Sequence, residues 1–212
     1  MSGRADAHPQ LCLFDGSLHP TSFNDPSREA GKEIDMSLAL PGPDMDRAIT
    51  RISHEILERN SGSNSITLLG IPTRGAHLAA RIAAKIEVIE RKPAQYGTLD
   101  ITLHRDDLRL RPPRALMPTH IPSLGVEDRN VILVDDVLFS GRTVRAALDA
   151  LGEIGRAKTV QLAVLIERGH RELPIRADYV GKNLPTSPSQ IIKVQLTELD
   201  GVDAVTVEEG QL

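Results

Sequence analysis

Tryptophan is absent, and two tyrosines and three phenylalanines make up the whole aromatic complement of 212 residues. Aliphatic packing must therefore carry the core. A lone cysteine, Cys12, excludes an internal disulfide framework and suits a reducing compartment. No Cys/His cluster has the spacing of a zinc site. No apolar run approaches the ~20 residues of a membrane span. The amino terminus lacks a charged-then-apolar secretory signal, so a cytoplasmic location is expected. Neither G-x-x-x-x-G-K-[ST] nor G-x-G-x-x-G occurs, which removes the P-loop and the dinucleotide fingerprint. Nor is there an excess of basic charge. A net charge of −4 argues against non-specific coating of nucleic acid, but leaves room for a local basic patch.

What is present fits one domain, since 212 residues bury a good core with little left for a second. Residues 1–43 read as a flexible N-terminal extension, rich in turn pairs such as Asp15-Gly16 and Asp25-Pro26, with a short strand near residues 36–40. A single domain over residues 44–212 follows. Asp44 is placed to cap a helix running to about Asn60. Met45, Ile49, Ile52 and Ile56 fall on one of its faces, and Arg47, Thr50, Arg51, His54 and Glu58 on the other. Residues 66–71 read as a short buried strand, followed by a loop and a second helix to about Glu90. Residues 96–103 read as a strand, with Leu99, Ile101 and Leu103 alternating. The charged, proline-containing stretch from His104 to Asn130 suggests a functional loop. Later strands are expected at residues 160–166, 191–196 and 204–207. Strands alternating with helices indicate a mostly parallel sheet covered on both faces.

Residues 131–143, VILVDDVLFSGRT, carry the strongest chemical signal. Four apolar residues form a buried strand, and Asp135 and Asp136 stand at its carboxyl end, where open α/β sheets bind ligands. A short loop then enters a helix with Val144, Leu148 and Leu151 at apolar spacing. Backbone N–H groups and the dipole at that helix start favour a phosphate. Gly141 allows close approach, Ser140 and Thr143 add hydroxyl donors, and Arg142 adds charge. Two carboxylates above a phosphate cradle can grip a pair of sugar hydroxyls, which describes a ribose-5-phosphate site. The plainer alternative is an Asp-Asp pair that caps a turn. Thr73, Arg74 and Gly75 occupy the loop after the preceding strand, and can offer N–H groups and a guanidinium to a second phosphate group. A turn with a solvated arginine is the competing account.

Basic residues gather in two places. Arg168, Arg171, Arg176 and Lys182 outnumber Glu172 and Asp178 in the segment that follows residues 160–166, and His170 adds charge when protonated. Thr50, Arg51 and His54 lie on the polar face of the first helix. Two such patches on an acidic protein point to a polyanionic partner if the fold joins them, and to ordinary solvated surface if it does not.

The strand, acidic pair, Ser-Gly-Arg-Thr and helix order is similar to the phosphoribosyl pyrophosphate (PRPP) motif of type I phosphoribosyltransferases. AITRISHEILERN at 48–60, GIPTRG at 70–75, DITLHRDDL at 100–108 and RGHRELPIRADY at 168–179 accompany it in order. Together they resemble the bifunctional pyrimidine-operon regulator and uracil phosphoribosyltransferase family, PyrR, over residues 45–212. The resemblance implies a type I phosphoribosyltransferase fold: an α/β, mostly parallel central sheet flanked by helices, with a small hood region. It implies synthesis of UMP and pyrophosphate from uracil and PRPP with magnesium, held mainly through substrate. It also implies binding of a pyrimidine-operon mRNA hairpin, strengthened by UMP or UTP, with GTP as a possible competitor, on a homodimer or higher oligomer.

Carried onto this chain, the resemblance assigns Asp135 and Asp136 to the ribose hydroxyls and residues 140–143 to the 5′-phosphate. Thr73, Arg74 and Gly75 would hold the leaving pyrophosphate. Arg105 would close over it, its alternative role being an ion pair with Asp106 or Asp107, within the chain or across a subunit interface. Thr50, Arg51, His54, Arg59, His170, Arg171, Arg176 and Lys182 would form the RNA surface. Two positions depart from the family pattern: Pro72 removes a backbone donor where a residue such as lysine is expected, and His104 replaces a tyrosine. Two rival readings are a purely regulatory protein with vestigial transferase activity and a purine phosphoribosyltransferase without an RNA role.

Overall fold

The computed structural model describes residues 36–106 and 116–210. Helix α1, Gly42–Asn60, is entered through the extended residue Pro41 and has a proline in its first turn. Proline suits that place because its fixed φ is already helical and its missing N–H has no helical acceptor to lose. Asp44 consequently lies inside the first turn, paired with Arg47, and is not the cap. Met45, Ile49, Ile52 and Ile56 are all buried, as their spacing requires.

A five-stranded parallel sheet forms the body. It comprises β2 (Ile66–Gly70), β3 (Tyr96–Thr98), β4 (Asn130–Leu138), β5 (Thr159–Glu167) and β6 (Tyr179–Asn183), in the order β3-β2-β4-β5-β6. Helix α2, Arg74–Glu90, joins α1 on one face, where Leu78, Ile82 and Ile86 meet Ile132 and Val134 of β4. Helix α3, Arg142–Ile154, covers the other, its Val144, Ala147 and Leu151 packing with Val131, Leu133, Leu162 and Val164. Such strands are buried from both sides, which is why they read as unbroken apolar runs. Leu148 does not share in this packing and is 40% exposed; α3 approaches the sheet through its small alanines instead.

Strand β3 is shorter than its alternation suggests. Asp100 Oδ1 accepts from both the N–H and the hydroxyl of Thr102, at 3.0 and 2.6 Å. That local bond bends the chain into a 3-10 turn over Thr102–His104 and leaves Leu103 71% exposed. Asp100 also accepts from the Met117 N–H, and His120 bridges Thr98, so the returning part of the long loop is tied down. Asp107 lies outside the described residues.

A second, antiparallel sheet has the order β1-β8-β7, from β1 (Met36–Pro41), β8 (Ala204–Glu209) and β7 (Gln190–Gln195). This is the hood. Residues 36–43, assigned to the extension on sequence grounds, form its first strand and the start of α1; the extension up to residue 35 lies outside the described residues. Short helix α4, Thr197–Asp200, joins β7 to β8. Arg81 of α2 ties the hood down through Glu198 and Asp203. Among the described residues, no helix is long and apolar enough to cross a membrane.

Candidate active site

Chain chemistry and topology meet at the carboxyl end of β4. A cavity of about 410 Å³ opens there, bordered by Arg105, Asp106, Asp135 and residues 137–144. Its floor is the start of α3. Gly141 takes a left-handed conformation, φ 89°, and the first backbone bond of the helix runs from Arg145 N–H to Gly141 O at 3.0 Å. The N–H groups of the preceding helical residues therefore begin without helical acceptors, which is what an anion needs. Ser140 and Thr143 border the same space.

Asp135 is 7% exposed. Burial pushes its carboxyl well above the usual range, the neighbouring charge of Asp136 adds to this, and the Arg105 guanidinium pulls the other way. One of its oxygens accepts the Asp136 N–H at 3.0 Å. Asp136 does not line the cavity. Burial raises its carboxyl too, opposed by the Val137 N–H at 2.8 Å and by the charge of Arg74. The two carboxylates are thus adjacent in sequence but differently placed.

Arg105 also borders a second cavity of about 160 Å³, together with Thr73, Asp100 and Thr102. One arginine therefore stands between the phosphate cradle and the loop after β2. Thr73 and Arg105 border one cavity, as the resemblance implies, but Arg74 turns to the hood, where its guanidinium meets both oxygens of Asp200 at 3.2 Å. Arg74 Nε is buried without an acceptor. Gly75 is buried against β4, with no room for a side chain. Arg142 borders the cavity, but its guanidinium is already engaged. It is clamped between Asp106 at 2.8 Å and Glu172 at 2.6 Å, which holds it more basic than usual.

The basic residues divide into two groups. Arg51 reaches across from α1 to the Val180 and Gly181 carbonyls of β6, at 2.9 and 2.7 Å, and pairs with Glu55. Arg59 pairs with Asp178 at 2.7 Å and lies over the Tyr179 ring. The polar side of α1 is therefore laid along β6. Thr50 spends its hydroxyl on the Asp46 carbonyl, whereas His54 and Arg176 are exposed. Lys182 donates to Ala39 O at 2.7 Å, stapling β6 to the hood. His170 and Arg171 stand at the cavity end, the first against Thr186 O and the second near Glu167. Sequence reasoning overlooked Phe139 as a cavity wall and Arg168 above its ring. An isolated apolar residue inside a polar loop motif was the available signal.

The family model described as a phosphoribosyl transferase domain matches residues 40–200. A protein of Streptomyces coelicolor named "Bifunctional protein PyrR" is 64% identical over 166 residues, covering 78% of this chain and 86% of the relative. Proteins of the same name in Leifsonia xyli and Clostridioides difficile are 56% and 58% identical, covering 82% and 77% of this chain and 97% and 92% of theirs. Among solved structures, a hypoxanthine phosphoribosyltransferase of Trypanosoma cruzi aligns with a TM-score of 0.63 at 14% identity, over 82% of this chain and 97% of that one. One from Staphylococcus aureus gives 0.59 at 15%, over 81% and 91%. At such identities the structures speak for the fold alone, a type I phosphoribosyltransferase architecture. The profile and the close relatives say more: this chain belongs to the PyrR family of phosphoribosyltransferase-domain proteins.

Proposed function

We propose that the protein regulates pyrimidine gene expression by binding RNA in response to UMP, and that it makes UMP and pyrophosphate from uracil and PRPP. The observation that carries this reading is the pair of cavities joined at Arg105, one ending on the α3 cradle and the other on the Thr73 loop. That layout suits a sugar with phosphate groups at both ends. The shared family name, a bifunctional protein, supports two activities on one chain.

In this reading residues 140–143 anchor the 5′-phosphate through backbone N–H groups. Asp135 holds a ribose hydroxyl and stabilises positive charge developing at C1′, with Asp136 as the second carboxylate. Thr73 and Gly75 offer N–H groups to pyrophosphate, Arg74 supplies charge on release from Asp200, and Arg105 shuts the space between. Magnesium would be held mainly by substrate oxygens and water, beside the hard oxygens of Asp135, and would neutralise the charge of the leaving group. UTP can take the place of UMP, and GTP would compete for the same cavity. The α1 and β6 patch, with His170 and Arg171, would meet a hairpin RNA whose loop bases are exposed. A homodimer would double that surface.

Assays of uracil with PRPP and magnesium should yield UMP, with hypoxanthine inert. A stem-loop from the leader of the pyrimidine genes should be retained more tightly in a gel with UMP than without. Turnover of hypoxanthine without RNA retention would overturn both halves.

Within the RNA surface the side chains should not count equally. Arg176 is exposed and free to neutralise a phosphate, so Arg176→Ala should weaken RNA binding and flatten its logarithmic salt dependence by about one unit. Lys182 is engaged with Ala39 O, so Lys182→Ala should lower the melting temperature more than it changes the salt slope. Equal slopes for both variants and the unmodified protein would contradict this division.

A further inference from the structure

After β5 the chain reverses through two consecutive left-handed residues, Gly169 at φ 84° and His170 at φ 60°. The turn is bolted to the loop that frames the phosphate cradle. Arg168 N–H donates to Leu138 O at 3.2 Å, and the Glu172 and Leu173 N–H groups both donate to Ser140 O, at 3.0 and 3.2 Å. Outside these backbone joints, Arg142 grips the Glu172 carboxylate.

Phe139 sits between the two loops. Its ring borders the cavity. The Arg168 guanidinium lies 4.2 Å from the ring centroid, and His170 meets the ring edge-on at 6.3 Å and 73°. Arg168 is 7% exposed, and it donates to Thr186 Oγ1, Ser187 O and Gln190 O, at 3.0, 3.0 and 2.7 Å. His170 Nε2 lies 2.6 Å from Thr186 O. A buried guanidinium with neutral oxygens around it depends on the aromatic face for much of its remaining stabilisation.

We infer that Phe139, with the joints beside it, couples occupancy of the nucleotide cavity to the RNA-binding turn at residues 168–173. The inference rests on the function proposed above. A nucleotide in the cavity touches Leu138, Phe139 and Ser140, the residues from which that turn hangs. Filling the cavity narrows their positions, and through the ring and the shared Ser140 carbonyl it narrows those of His170 and Arg171. RNA then meets a turn already ordered, and occupancy raises its affinity. The coupling is reciprocal: RNA raises UMP affinity by the same factor.

The test is RNA affinity with no UMP and with saturating UMP, so that a change in UMP affinity alone does not enter. The same leader stem-loop serves as probe, with UMP affinity measured separately by calorimetry. In the unmodified protein UMP should tighten RNA binding by about 5- to 150-fold. Phe139→Leu should bring this factor to within about twofold of one, while Phe139→Tyr retains it. Phe139 is 39% exposed, so the substitution does not open the core. Glu172→Gln, which loosens the joint from outside the cavity, should lose part of the factor. The full factor in both Phe139→Leu and Glu172→Gln would overturn the coupling. No UMP effect in the unmodified protein would instead overturn the proposed function.

Discussion

Asp135→Asn should lower uracil turnover by about 10²–10³-fold, the scale for removing one preorganised charge-stabilising group, and at the same time raise the melting temperature of the ligand-free protein. Both effects have one origin. The carboxyl is buried at the end of β4 beside a second acid, so its ionised form is disfavoured in the folded chain. An anion kept there without solvent is costly, and in the proposed function a ribose hydroxyl and positive charge at C1′ would offset that cost. Asparagine keeps the shape and can still accept the Asp136 N–H, but drops the charge. The pH dependence follows in sign. Because the folded pKa lies above the unfolded value of about 3.9, the folded chain binds the extra proton between the two. Stability is therefore lost as pH rises through that window, and not regained above it. The gain in melting temperature from Asp135→Asn should be slight near pH 4 and larger at neutral pH in a chelator-containing buffer. Equal melting curves at both pH values, or turnover within threefold of the unmodified protein, would sink this account.

The second large effect is expected from a single methyl group. A Cβ on Gly75 would stand 2.3 Å from Val134 O and 3.2 Å from the Asp135 Cα. Both are backbone, so neither can swing aside as a side chain would. Overpacking costs 1–3 kcal/mol and at times more; here the upper end applies, about 3 kcal/mol for Gly75→Ala. For a chain of this size that lowers the melting temperature by about 6–12 °C. Turnover should fall as well, because the atom displaced is next to the cavity carboxylate. Gly152→Ala is the control. That glycine lies inside α3 with nothing near its would-be Cβ, so alanine should stabilise by about 0.5–1 kcal/mol. Similar melting temperatures for the two variants would show that α2 and β4 are less tightly fitted than their atoms indicate.

Local chemistry was the legible part of this chain. The apolar face of α1, the buried β2 and β4, and the glycine-led start of α3 all follow from periodicity or from residues adjacent in sequence, and the family resemblance added the hood. Apart from one local bond beside Leu103, what escaped depends on partners far along the chain. Leu103 fits a strand until Asp100 bonds Thr102 and turns the backbone away. Arg142 gives no local sign of its pairing with Asp106 and Glu172. Lys182 and Arg51 read as surface charge, yet each spends hydrogen bonds on a distant carbonyl. Long cationic side chains are poorly foretold because their reach exceeds the local pattern that places their backbone. Phe139 was missed for the opposite reason: its importance lies in what stands on either side of it.

The hood sheet has its latest-made strand in the middle. On the ribosome, with growth at about 5–20 residues per second, β1 emerges ahead of every other described strand, and its partner β8 after all of them. β7 arrives late and finds no neighbour either, until β8 slides between them. The α4 acids that hold Arg74 and Arg81 also come only in this final stretch. A nascent chain can thus lay down its parallel strands and cradle while its first strand stays exposed. Shielding that orphan edge during synthesis is a demand on the cell that the finished molecule no longer reveals.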